Sequence, residues 1–215
     1  GAYSNHALSE QIEKNELTVQ DKNFMTELVY GTLQHEQLLN FYVTPFFNGK
    51  VKAWVRILIQ MTLYQMLFLD SVPEHAAISE AVKIAKKRGG QFNGKLVNAI
   101  LREMTRTPLP SLDTIKDEAE RLAVETSHPL WLIKLWSKQF GWEKTIQMAR
   151  ANNERVNVTI RVNGVRGTRE ELKQKLESEG ITCEYGNLSQ DALVILKGNV
   201  IKTKAFEQGW FYVQD

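Results

Sequence analysis

Apolar residues recur at helical spacing through the first half of the chain, from Ser4 to Arg106. Apolar side chains three and four positions apart share one helix face, and Pro and Gly separate successive helices. Thr18 and Asp21 resemble a capping box at the start of one helix. The segment from Lys52 to Leu69 is apolar nearly all round. This pattern predicts a bundle in which a central helix is surrounded by the others.

The glycines and prolines of the next part predict where its helices begin and end. Pro73 suits the first turn of a helix that the pair Gly89 and Gly90 would stop, and a further helix is expected from about Gly94 to Arg106. The stretch 107–111 interrupts the pattern, and two or three more helices follow. In one of them a buried stripe is predicted for Trp131, Leu132, Leu135 and Trp136.

The period changes from helical to alternating at Asn153. Between Val156 and Asn163 valine and isoleucine alternate with polar residues, which predicts a half-buried strand. A helix over Thr168–Glu179 and strands over 181–185, 192–196 and 210–213 are expected to follow. The fold class is therefore mainly α, with a small α+β module at the end. The predicted divisions are a helical domain at 1–124, a helical bridge at 125–152 and the α+β module at 153–215.

Bulk composition is that of a folded globular protein, with 43% hydrophobic and 24% charged residues. No apolar run reaches the ~20 residues that span a bilayer, so no membrane partner is predicted. A single cysteine, Cys183, allows no internal disulfide, which favours a reducing, cytoplasmic location.

Charge is distributed unevenly. The segment 83–106, called the basic segment below, holds seven cations against one acid, Glu103. It carries +6, whereas the rest of the chain carries −4 of the overall +2. At 100° per residue Arg102 and Arg106 each fall within ~20° of Lys95, opposite the apolar face. A solvated helix face normally mixes signs, so this one favours a nucleic-acid partner.

The residues predicted to bind nucleic acid are the cations of the basic segment and two residues on the polar face of the first strand. They are Lys83, Lys86, Lys87, Arg88, Lys95, Arg102 and Arg106, followed by Arg161 and Asn163.

Other candidate chemistry is weak. The string Gly164–Gly167 is too short for a dinucleotide-type loop and predicts a plain turn. The four histidines have no cysteines at ligand spacing, so no metal site is predicted. Cys183 lies in an expected strand with no base or cation beside it in the sequence, which favours a structural role. Four tryptophans, Trp54, Trp131, Trp136 and Trp142, are assigned to core packing.

Seven strings resemble the Sun/Fmu family, also called RsmB, of bacterial small-subunit ribosomal RNA methyltransferases. They occur in the family's order and spread over nearly the whole chain: "GAYSN" (1–5), "ELVYGTL" (27–33), "VPEHAAISEAVKIAKK" (72–87), "NGKLVNAILR" (93–102), "SHPLWLI" (127–133), "VTIRVN" (158–163) and "GWFYVQD" (209–215).

The resemblance implies a NusB-like helical bundle that binds RNA, followed by a ferredoxin-like module. Family members continue after "VQD" into a domain that transfers a methyl group from S-adenosylmethionine to C5 of a cytosine in 16S ribosomal RNA. Its Gly-rich loop and two catalytic cysteines are not among these residues. No catalytic, cofactor or metal residue is therefore expected in this chain, and the chain alone is expected to be inactive. The expected partners are small-subunit ribosomal RNA and that catalytic domain in cis, and not DNA.

Two alternatives stay open. A free-standing NusB-like adaptor in transcription antitermination would also bind RNA, but it would have no need of the module after Asn153. A protein-interaction scaffold without a nucleic-acid role would leave the basic segment as a solvated surface.

Overall fold

In a computed structural model the chain forms two compact units, Gly1–Asn153 and Glu154–Asp215. The structure describes residues 4–154, 157–187 and 189–214. Parts of three segments named above lie outside the described residues: the string at 1–5, Val156 of the predicted first strand and the last residue of the string at 209–215.

Helices make up the first unit, as predicted. They are α1 (Ser4–Lys14), α2 (Val19–Gln34), α3 (Glu36–Val43), α4 (Ala53–Phe68), α5 (Glu74–Arg106), α6 (Glu118–Thr126), α7 (Leu130–Phe140) and α8 (Trp142–Ala151). The Thr18 side chain caps α2 by accepting a hydrogen bond from the Asp21 amide at 3.1 Å. Pro73 is the residue immediately before α5, whereas the sequence predicted it within the first turn of the helix.

The main core surrounds α4, which contacts α2, α3 and α5. Val55, Ile59 and Leu63 of α4 are buried in it. The predicted central helix is confirmed, but it is not enclosed on every side, because Ile57 and Leu67 remain exposed.

The Gly89–Gly90 pair kinks α5 instead of ending it. Gly90 has φ 76° and ψ −179°, a conformation that is essentially restricted to glycine. Helical geometry resumes at Gln91, so the second half of α5 begins before Gly94, where the sequence predicted it. The predicted stop is thus a break between two halves of one element.

Helices α6, α7 and α8 pack on one another around a smaller core of Leu122, Ala123, Ile133 and Ala149. The stripe predicted for α7 is wrong, since Trp131 is 66% exposed and Leu135 is 41% exposed. The face that packs holds Leu130, Ile133 and Trp136, which are spaced three residues apart. Trp131 lies about 100° from Leu130 around the helix and therefore points off this face.

The second unit is a four-stranded antiparallel sheet with the order β2-β3-β1-β4. Its elements are β1 (Thr159–Val162), α9 (Arg169–Ser178), β2 (Thr182–Tyr185), β3 (Ala192–Lys197), α10 (Lys204–Glu207) and β4 (Phe211–Gln214). Ile160 and Val162 are buried as the alternation predicted, whereas Val158 lies before β1 and is 46% exposed. Leu172 and Leu176 of α9 complete the core with Leu193 of β3.

Candidate nucleic-acid interface

The kink at Gly90 brings the two halves of α5 side by side. Residues of both halves line an open groove of about 400 Å³, called the basic groove below. They are Glu74, His75, Ile78, Ser79, Val82, Lys83 and Lys86 from the first half and Asn98, Arg102 and Thr105 from the second. Three predicted cations, Lys83, Lys86 and Arg102, are thus brought together across the groove.

Close packing between the halves depends on Gly94, which is buried. A Cβ atom at this position would lie 2.3 Å from the Cγ of Lys86. The aliphatic part of the Lys86 side chain therefore runs over Gly94. A long cationic side chain can bury its stem in this way while its charged end stays in water.

Few of the seven cations are neutralised by acids. In the described part of the chain Lys83 pairs with Glu80 at 2.6 Å, and no salt bridge involves the other six. The guanidinium of Arg102 donates to the Asn98 amide oxygen at 3.2 Å. That of Arg88 lies 5.2 Å from the centre of the Trp54 ring. Both contacts orient the side chain without removing its charge.

Lys87, Arg88, Lys95 and Arg106 are exposed on α5 but do not line the basic groove. The basic segment therefore presents a wider cationic surface, of which the groove is one part. Sequence reasoning missed Asn98, which holds Arg102; a polar residue four positions before a cation on one helix was the available signal.

Two family models match the chain in order. The NusB family matches residues 1–106, and the "Methyltr_RsmF/B-like, ferredoxin-like domain" matches residues 128–202. The "Probable ribosomal RNA small subunit methyltransferase B" of Bacillus subtilis is 44% identical over all of this chain and 48% of its own length. The protein of the same name from Synechocystis is 29% identical over all of the chain and 49% of its own length.

Over its whole length the chain is similar to members of the Sun/Fmu family. It spans about half the length of the curated relatives that it matches. The crystal structure of PH0851 has the same fold, with a TM-score of 0.66 at 21% identity over 98% of this chain and 48% of that one. The NusB match covers α5, whose two halves line the basic groove. The ferredoxin-like match begins within the first unit, before α7, and extends through most of the second.

The two site residues predicted in the second unit, Arg161 and Asn163, line a separate pocket with Tyr212 and Gln214. The Asn163 side chain donates to the Gly209 carbonyl at 2.9 Å and accepts from the Val165 amide at 3.2 Å. Its polar atoms thus stabilise the turn after β1. The Arg161 guanidinium is half exposed and lies 3.9 Å from the Asp191 carboxylate.

Cys183 lies in β2 and is buried, at 4% exposure, as the structural assignment predicted. Burial raises the pKa of its thiol; the Lys173 ammonium lowers that pKa and the Glu177 carboxylate raises it, and the net shift is upward. The thiol is therefore protonated at neutral pH, which disfavours nucleophilic attack.

The turn at Gly164–Gly167 does not fit a methyl-donor site. The N-terminus of α9 that follows it is occupied by the chain's own capping box, in which the Glu171 carboxylate accepts from the Thr168 amide at 2.8 Å. A Cβ atom at Gly167 would lie 2.6 Å from both Glu171 and Trp210, so the space is filled. Among the described residues no group of three or more His, Cys, Asp or Glu could hold a metal ion. None of the described helices is long and apolar enough to cross a membrane.

Proposed function

We propose that this chain is the RNA-recognition portion of an S-adenosylmethionine-dependent, cytoplasmic 16S ribosomal RNA (cytosine-C5) methyltransferase. The observation that carries the proposal is the basic segment, which lies on a domain that matches the NusB family. Six of its seven cations have no acidic partner among the residues that the structure describes. The names of the relatives support the substrate class, ribosomal RNA of the small subunit.

In this proposal the cations bind phosphates and so fix the position of the RNA. Phosphate contacts carry no sequence information, whereas unpaired bases in loops can be read by their edges and faces. The proposed contacts are Lys83, Lys86, Lys87, Arg88, Lys95, Arg102 and Arg106 in the first unit and Arg161 and Asn163 in the second.

Methyl transfer itself is assigned to the family's catalytic domain, acting in cis on RNA held by this chain. The turn at Gly164–Gly167 does not fit the methyl donor, which supports assigning this chain the binding and orientation of the substrate and no part in the chemical step. Titration of the 215-residue chain with S-adenosylmethionine is expected to give no binding heat.

The basic segment can be tested by replacing Lys95, Arg102 and Arg106 together with Gln. If each cation neutralises one phosphate, the plot of log affinity against log salt becomes shallower by about 2 to 3 units, at ~0.7 to ~0.9 per contact. Binding weakens for all RNA sequences alike. Stability changes by ~0.5 kcal/mol or less per exposed position. The measurement is a salt titration of binding to fragments of 16S ribosomal RNA.

Its matched control is the replacement of Lys116, Lys134 and Lys138 by Gln, which removes three exposed cations from outside the basic segment. The net charge changes equally, so a loss specific to the first variant isolates the position of the charges. An unchanged slope and affinity in the first variant would contradict the proposal.

The alternative is a free-standing NusB-like adaptor in transcription antitermination, which would also bind RNA. The ferredoxin-like match at 128–202 argues against it, because antitermination by a NusB-like module does not call for this unit. Site-specific loss of 5-methylcytosine in 16S ribosomal RNA on deletion of the gene would support the methyltransferase; unchanged methylation would favour the adaptor.

A further inference from the structure

Phe92 is 76% exposed, more than any other described aromatic side chain. It follows the kink in α5 by two residues, in the part of the chain where the cations are concentrated. Its ring contributes to neither the main core nor the basic groove. The position is therefore not explained by packing.

The backbone on both sides of Phe92 is fixed by buried contacts. Asn93 is 7% exposed, and its side-chain amide donates to the Gly89 carbonyl across the kink. Gly94 packs under the Lys86 side chain, as described above. The second half of α5 is thus anchored beside Phe92, so the ring projects from a rigid support. A preorganised side chain loses little conformational entropy when a ligand binds to it.

The surroundings of Phe92 are cationic. Lys87, Arg88 and Lys95 are exposed within five residues of it. On the helical wheel Phe92 lies within about 80° of Lys95, Arg102 and Arg106, on the side of the helix away from the core. The acid of this segment, Glu103, is eleven residues further along.

An exposed aromatic ring among cations has the chemistry of a nucleotide site. A base can stack on the ring whatever its identity, while Lys and Arg bind the phosphates on either side of it. A protein partner would instead require a contiguous apolar patch. The surface neighbour of Phe92 one helical turn further on is Lys95, an exposed cation, and the preceding Gln91 is exposed and polar, which argues against such a patch.

We propose that Phe92 stacks on an unpaired base of the bound RNA and gives the basic segment a preference for single-stranded over duplex RNA. The proposal rests on the RNA-recognition function proposed above and adds a contact that depends on the base and not on charge.

The test compares Phe92→Ala, Phe92→Trp and the unchanged 215-residue chain in binding a short mixed-sequence RNA, first single-stranded and then annealed to its complement. Loss of one stacked base weakens single-strand binding by about 5-fold to 150-fold. The salt dependence stays the same because no charge is removed, and duplex binding stays the same. Phe92→Trp retains the affinity because its ring also stacks.

Phe140→Ala is the matched control, since Phe140 is 54% exposed on α7, outside the basic segment. If Phe92→Ala binds single-stranded RNA as tightly as Phe140→Ala does, the stacking role is overturned. The RNA-recognition function would still stand provided that the triple Gln variant changes the salt slope. If the unchanged chain binds neither RNA, both proposals fail. Capture of a protein in place of RNA at Phe92 would also overturn the stacking role.

Discussion

Burial decides the chemistry of individual side chains more than their type does. Cys183 and Phe92 show the two extremes, because the thiol of Cys183 is enclosed in a core and the apolar ring of Phe92 is exposed to water. Sequence alternation over 181–185 was sufficient to assign Cys183 to a strand. The exposure of Phe92 was not predictable, since it depends on the anchoring of Asn93 and Gly94 by residues on the other half of α5.

We expect the Cys183 thiol to resist alkylation in the folded chain. Its pKa is raised, mainly by burial, so the reactive thiolate is scarce at neutral pH and access is limited. The rate of reaction with iodoacetamide at pH 7.5, measured by mass spectrometry, is expected to be many times slower than in the guanidinium-unfolded chain. Equal rates in the folded and unfolded chains would contradict this.

The same shift predicts a pH dependence of stability. The folded state holds the thiol proton more tightly than the unfolded state, whose pKa is ~8.5. Stability from this group is therefore complete below that pH and is lost as pH rises above it. Between pH 7.5 and 9.5 the free energy of unfolding of the unchanged chain is expected to fall relative to that of Cys183→Ala. Parallel pH profiles of the two proteins would show that Cys183 does not contribute.

Among the elements, α5 and α7 differed most from expectation, and in both the cause is tertiary. The glycine pair marked the right place in α5, but the side-by-side packing of its halves depends on the contact of Lys86 with Gly94. Helix α7 has apolar residues on two faces, and periodicity alone could not choose between them. Packing against α6 and α8 selects the face of Ile133 and leaves Trp131 exposed. Where one face was clearly apolar, as in β1, the buried positions within the strand were predicted correctly.

The kink gives a test at the scale of the element. Gly90→Ala places a side chain on a residue with φ 76° and ψ −179°, which costs about 1 to 3 kcal/mol. Because the kink sets the positions of Lys83, Lys86 and Arg102, RNA affinity is expected to fall with stability. Urea unfolding followed by circular dichroism measures the first effect and fluorescence anisotropy the second.

Gln91→Ala is the control for this substitution, because Gln91 is exposed, helical and adjacent to Gly90. It is expected to change the free energy of unfolding by ~0.5 kcal/mol or less. A Gly90→Ala protein as stable as Gln91→Ala would mean that the backbone at Gly90 can relax into helical geometry.

For the whole molecule, the division at Asn153 separates the basic segment from the sheet. The change of hydrophobic period at Asn153 predicts a domain limit there, because buried residues recur every three to four positions in a helix and every two in a strand. The limits predicted at 124 and 152 stay predictions. The structure nonetheless joins α6 to α3 by direct contacts within one unit.

This division predicts where RNA affinity resides. A protein of residues 1–153 keeps all seven cations of the basic segment and is expected to retain most of the affinity and salt dependence of the whole chain. Residues 154–215 alone keep only Arg161 and Asn163 among the proposed contacts and are expected to bind far more weakly. Filter binding of both pieces to the same RNA measures this. Stronger binding by the second piece would move the main interface to the sheet.

The strand order of the second unit has a consequence for biosynthesis. The first strand, β1, lies between β3 and β4, and its pairing with β4 joins residues at opposite ends of the unit. In the first unit α4 and α5, and likewise α7 and α8, contact their neighbours in sequence and can associate as soon as each pair has left the ribosome. Until Phe211–Gln214 has been synthesised, one edge of β1 has unsatisfied amide and carbonyl groups. The nascent chain therefore passes through a stage at which a finished helical unit is followed by an open strand edge, the kind of edge on which chains aggregate or chaperones act.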